Sequence, residues 1–229
     1  MAGKFILRKA ARTDVKIKVA LQGPAGSGKT YSALKMAHGL VGNVDKILLI
    51  DTENGSGDLY CDMFDEPYNI ITLNEFSPDN YIGAINEGIK AGMEVIILDS
   101  ISHEWDWILD YVDNSPGKSK FSSGWNKATP IHNNFIKHIL NCDAHVIATM
   151  RSKTEYVIEK NDKGKSVPIK LGMKSKQRDG VDYEFTLIYE LDTNNHAYAT
   201  KDRTQLFPPS RIIKIDESTG EEIKAWIKI

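Results

Sequence analysis

The stretch GPAGSGKT, Gly23 to Thr30, combines three glycines, a lysine and a threonine at the spacing GxxxxGK[ST]. It follows an apolar run and opens a helical pattern, the context that gives the motif its meaning. Glycines allow backbone N–H groups to turn inward around a triphosphate. A helix starting near Gly28 adds the positive end of its dipole. Lys29 supplies a point charge for the β- and γ-phosphates, and the Thr30 hydroxyl is a ligand for Mg²⁺. The expected nucleotide contacts are Gly23, Pro24, Ala25, Gly26, Ser27, Gly28, Lys29, Thr30 and the adjoining Tyr31, with ATP and Mg²⁺ as the bound species. Asp99 closes the apolar run VIILD, where a carboxylate reaches a metal-bound water beside Thr30. Taken alone, such an aspartate is as readily a helix cap.

Hydrolysis also needs a group that polarises water. A glutamate directly after the strand-ending aspartate often serves, but Ser100 stands there. In parallel α/β sheets ligands lie at the carboxyl ends of the strands, so the base is sought at another strand end. KILLIDTENG places Asp51, Thr52 and Glu53 after the run that follows the phosphate-loop helix. Glu53 is the candidate base, and on spacing alone a solvated loop acid is an equal alternative.

The elements that must hold these groups are legible as alternating patterns. KIKVALQGP reads as a strand and turn, and KTYSALKMAHGLVG as a helix stopped by Gly42. KILLIDT, EVIILDS and HVIATM read as buried strands, and PDNYIGAINEGIKAGM as a helix. TPIHNNFIKHILN reads as a helix starting at a Thr129-Pro130 cap, with Ile131, Phe135, Ile136 and Ile139 on one face. Beyond Lys153, TEYVIEKNDKGKSVPIKLG reads as a hairpin around Asp162-Lys163-Gly164, and YEFTLIYELD, HAYATKDR and SRIIKI as further strands. The expected fold is α/β: a phosphate-loop core of mainly parallel sheet flanked by helices, with a β-rich C-terminal third, in a single domain over 1–229.

Bulk properties narrow the classes. With 229 residues, 41% hydrophobic and 26% charged, the chain has the composition of an ordinary globular domain. Cys61 and Cys142 lie far apart with no CxxC spacing, which argues against a disulfide framework or zinc site. The longest apolar runs are strand-sized, and the N-terminus lacks a signal-peptide core. A cytoplasmic location with no membrane partner is expected.

The combination of phosphate loop, IDTE after the next strand and ILDS at the second metal position resembles the RecA recombinases. In that family the glutamate of IDxE is catalytic, which favours Glu53. The next strand ends in a γ-phosphate sensor that leads into a DNA-binding loop. Here HVIATMR ends at Arg151, where the recombinases carry glutamine. RadA-like members carry a lysine-x-arginine pair that enters the neighbouring subunit's nucleotide site, and TKDRT supplies Lys201 and Arg203. The chain more closely resembles phage-encoded ATPases with a minimal RecA core, which act in single-strand annealing and recombination. Their motifs GPxGSGKTxSAL, DTENGS, DSISHxW, RSKTEY, QRxGxxYEF and KDRT recur in order over roughly 15–207. The resemblance implies an oligomeric ATPase acting on single-stranded DNA in annealing and recombination, with residues 1–15 as an oligomerisation arm. A single-strand DNA-binding protein is a further candidate partner.

Between Arg151 and Arg178 there are nine basic residues and three acidic ones, a net of +6 in a chain of net −2. A charge run is commonly a solvated face, but this one starts at the expected γ-phosphate sensor. Lys153, Lys160, Lys163, Lys165, Lys170, Lys174, Lys176 and Arg178 are therefore candidate DNA-backbone contacts, with 152–178 as a basic hairpin. Trp105, Trp107 and Trp125 could stack bases, although buried helix faces are the better reading for at least two of them. His103 is a lesser site candidate. A ring helicase shares these features, and a small-molecule kinase shares the phosphate loop but needs an arginine-rich lid. A GTPase is excluded by the lack of an NKxD motif.

Overall fold

The computed structural model of the protein describes residues 9–12, 15–115, 120–160 and 166–228. Its strands are β1 (Lys18–Gly23), β2 (Ile47–Asp51), β3 (Asn69–Thr72), β4 (Val95–Asp99), β5 (His145–Lys160), β6 (Ser166–Ser175), β7 (Leu187–Leu191) and β8 (Ala197–Asp202). Its helices are α1 (Lys29–Val41), α2 (Pro78–Lys90), α3 (Ser102–Asp113), α4 (Lys120–Asn141) and α5 (Glu217–Ile227). The sheet order is β3-β2-β4-β5-β1-β7-β8. From β3 through β7 neighbouring strands run parallel, β8 is antiparallel to β7, and β6 pairs antiparallel with the outer half of β5. This is the mostly parallel sheet with flanking helices expected of a P-loop fold.

Successive strand residues point to opposite faces, and the two faces have separate cores. Val19, Leu21, Leu49 and Ile97 pack on α1 and α5, whereas Ala20, Ile50, Leu98 and Ala148 pack on Tyr81 and Ile85 of α2 and Phe135 of α4. Both faces being covered explains why β2 and β4 are apolar without alternation. On the first face α1 and α5 nearly touch. A Cβ on Gly39 would fall 1.9 Å from the Glu217 carbonyl oxygen, and one on Gly220 would fall 2.2 Å from that of Met36.

Two sequence expectations change. Helix α4 starts at Lys120, so Pro130 lies inside it instead of opening it. Proline in a helix interior removes one hydrogen bond and crowds the carbonyl four residues back. The helix continues because its earlier turns pack on α3, where Ala128 joins Ile108 and Val112. SRIIKI forms only an isolated bridge, Ala197 with Ile213. The segment after it is helix α5, opened by a capping box between Asp216 and Thr219. The hairpin is present as β5 and β6, while its turn, with Lys163 and Lys165, lies outside the described residues. Most of the proposed arm, 1–8 and 13–14, lies outside them too. Among the described residues no helix is long and apolar enough to cross a membrane.

Candidate active site

Strand order decides which side chains meet. β4 and β5 lie between β2 and β1, so the carboxyl ends of four adjacent strands carry Asp51 and Glu53, Asp99, Thr149 and Arg151, and the phosphate loop. The loop turns on left-handed backbone at Gly26 and at Gly28, which caps α1 with φ of 78°. Glycine adopts that conformation without a Cβ penalty. A Cβ on Gly28 would also meet the Asn195 amide at 2.8 Å. Asn195, in the β7–β8 turn, donates to the Gly26 carbonyl at 3.4 Å, a loop support that sequence spacing could not show.

Lys29 folds back over the loop and donates to the carbonyls of Gly23 (3.1 Å) and Pro24 (2.8 Å). Burial lowers its pKa, while the nearby charges of Asp99 and Glu53 act in the opposite direction. A cation held in a site poor in water has a strong pull on an anionic ligand. Ser27, also in the loop, is fully buried.

Asp99 is buried and doubly anchored. Thr30 donates to one carboxylate oxygen at 2.6 Å, and Thr149 on β5 makes a short hydrogen bond to the other. Burial raises the Asp99 pKa, and these two hydroxyl donors oppose that shift. Hydroxyl and carboxylate oxygens at hydrogen-bond distance are hard ligands of the kind Mg²⁺ takes, usually with waters completing its shell. Thr30 and Asp99 thus fit the ion. Thr149 was missed in the sequence because a threonine in a buried strand reads as a β-former.

Glu53 is partly exposed, and Arg151 grips it with two guanidinium hydrogen bonds, one of 3.0 Å from Nε and a shorter one from the terminal nitrogen. That contact raises the Arg151 pKa. The Ser100 hydroxyl lies 3.5 Å from Glu53 as well. Asp51 is differently used. One oxygen accepts from the Glu53 N–H at 2.6 Å and the other from the Gly57 N–H at 3.3 Å, so its buried carboxylate braces the loop that carries Glu53. Thr52 ties that loop to β4, accepting from the Ser100 N–H at 2.8 Å. The Asp99–Ser100 peptide is cis. His103 lies 2.7 Å from the Thr52 hydroxyl and stacks on Phe76, and burial lowers its pKa.

The remaining candidates sit elsewhere. Tyr31 projects from α1, half exposed and edge-on to Tyr60. Lys201 donates to the carbonyls of Asp182 (2.8 Å) and Tyr183 (2.6 Å), and Arg203 to that of Tyr183 (3.0 Å). Lys201 is level with Ile188 and hence with Ala20, three residues before Gly23. It is thus about 10 Å down the strand direction from the loop and two strands across, about another 10 Å. Of the basic candidates, Lys153 is exposed, Lys174 pairs with Asp179 (2.9 Å), Lys176 with Asp106 (2.6 Å), and Arg178 donates to Asn133 (3.0 Å). Lys160 and Lys170 lie in the paired strands β5 and β6.

No curated protein matches the chain. A family model described as an AAA domain matches residues 15–224, a span that contains the phosphate loop, Glu53, Asp99, Arg151 and both β7 and β8. With most of its length matched, and with the phosphate loop, the Thr30–Asp99 pair and Glu53 assembled at one edge of a parallel sheet, the chain belongs to the AAA-domain family of P-loop ATPases.

Proposed function

We propose that the protein hydrolyses ATP as an oligomer and uses it to act on single-stranded DNA, in the manner of a recombinase. The observation that carries this is the continuity of β5. Its first half lies in the parallel sheet between β4 and β1, it passes Arg151, and it runs on to Lys160 as one arm of the basic hairpin. Arg151 therefore belongs to both regions. Its side chain holds Glu53, and its carbonyl accepts from the Lys176 N–H at 2.6 Å at the hairpin's root.

In this scheme Lys29 and the loop amides bind the phosphates, and Thr30 with Asp99 holds Mg²⁺, which when bound offsets phosphate charge. Glu53 orients and polarises water once released from Arg151. A γ-phosphate competes with Glu53 for the Arg151 guanidinium, because both are anionic oxygen acceptors suited to bidentate contact. Release of Glu53 and movement at the hairpin's root are then one event.

If the hairpin follows a DNA backbone, affinity falls steeply with salt, with a slope of about −0.7 per neutralised phosphate on single strands. Replacing Lys160 and Lys170 with alanine should flatten that slope by roughly 1.4 and weaken binding alike for different base sequences. A non-hydrolysable ATP analogue should tighten binding. Fluorescence anisotropy of a labelled oligonucleotide across a salt series measures all three. An unaltered slope in the double variant removes the hairpin from the DNA site.

A further inference from the structure

We propose that the groove between α3, α4 and the root of the hairpin is a base-stacking site for single-stranded nucleic acid, in which Trp105 and Trp125 take an unpaired base. It rests on the reading of single-stranded DNA as the partner, and adds where and how the bases bind. The groove has a volume of about 640 Å³, within the range of small-ligand sites. One wall is aromatic and apolar, with Trp105, Trp125 and the exposed Leu109. The other carries Lys153, Lys174, Lys176 and Arg178 against two acids, Asp179 in the lining and Asp106 behind Lys176, a net of +2.

Each wall matches one half of a nucleotide. Trp105 and Trp125 lie 5.7 Å apart at 35° and are both half-buried. Trp107 instead stacks on Tyr111 at 5.3 Å and does not line the groove. Indole faces beside cations suit a planar base with its phosphate, and every base offers a π-face only when it is unpaired. A duplex hides those faces, so the chemistry selects single strands.

The cationic wall is braced. Asp106 fixes Lys176 and Asn133 fixes Arg178. Between them the buried Gln177 amide donates to the Ile101 carbonyl at 3.0 Å and to Glu104 at 3.4 Å. Glu104 is itself buried and lies 2.9 Å from His132, whose ring packs edge-on to Trp105 at 5.3 Å. Such support holds recognition groups in place before a ligand arrives. It also reaches the nucleotide site, since Ile101 and Ser102 follow the Asp99 strand and Ser102 accepts from the Arg151 N–H at 2.9 Å.

The test is a titration of the full chain, with a non-hydrolysable ATP analogue, against an oligothymidylate and an abasic strand of equal length. Anisotropy and intrinsic tryptophan fluorescence are read together. Stacking is expected to quench the tryptophans with thymidylate only, and the abasic strand should bind roughly 5- to 150-fold more weakly. Trp125→Leu should weaken thymidylate binding by a similar factor, and Trp125→Phe should recover most of it. Equal affinity for the two strands, or thymidylate binding untouched by Trp125→Leu, overturns the stacking site and leaves DNA binding standing. The two-strand comparison on the unaltered protein decides the matter even if Trp125→Leu does not fold. If the unaltered protein binds neither strand, the DNA partner fails and the groove assignment with it.

Discussion

Glu53→Gln should retain ATP binding and hydrolyse it at least about a hundredfold more slowly, the scale of lost general-base assistance. Glutamine keeps the shape of the side chain and can still accept from Arg151, but it has no carboxylate to polarise water. Asp51, the last residue of β2, is the rival acid, and its geometry argues against it. Both its oxygens accept backbone N–H groups, from Glu53 and Gly57, in a fully buried position. Glu53, by contrast, is held by a partly exposed guanidinium that a phosphate can replace. Lys29→Ala should fail one step earlier and lose nucleotide binding, because the loop's cation is gone. Binding of a fluorescent ATP analogue and phosphate release, measured on both variants, separate the two effects. Full turnover in Glu53→Gln would return the base to Asp51.

Arg203→Ala should lower turnover by up to about a thousandfold while leaving nucleotide binding near normal, the scale of an arginine finger supplied by a neighbouring subunit. Lys201 and Arg203 are two residues apart at the end of β8, and both reach Tyr183, so they point the same way. Their distance from the loop of their own chain leaves a neighbour's site as the place where they could meet a transferring phosphoryl group. Mixing Arg203→Ala with Glu53→Gln protein should then restore part of the activity, because a mixed interface can join an intact Glu53 to an intact Arg203. No recovery at any ratio, in assemblies shown to be mixed, argues that the pair serves only to hold the Asp182–Tyr183 turn.

The parts of the site that were legible in the sequence are the local ones. The phosphate loop is a run of eight residues whose glycines and lysine have few other reasons to stand together. Asp99 and Glu53 were legible because one ends an apolar strand and the other lies two residues beyond the end of another, and strand ends share one edge in a parallel sheet. The residues that tune them were not. Thr149 lies 50 positions from Asp99, Ser102 lies 49 from Arg151, and Asn195 lies 169 from Gly26, so only the strand order brings them together. The basic run overstated the free cations, because Lys174 and Lys176 pair with Asp179 and Asp106 outside the run. β3 escaped notice as a four-residue edge strand with exposed ends. α3 was legible only as a helix face for its tryptophans, because ISHEWDWILDYVD begins straight after the Asp99 strand with no N-cap side chain to mark its start.

The most direct test of the account is phosphate release from ATP by the purified protein, with no small-molecule acceptor present, measured with and without single-stranded DNA. Coupling through Arg151 predicts slow release alone, faster release with single strands, and little of either in Glu53→Gln. Release that single-stranded DNA leaves unchanged, or no release at all under both conditions, would contradict it.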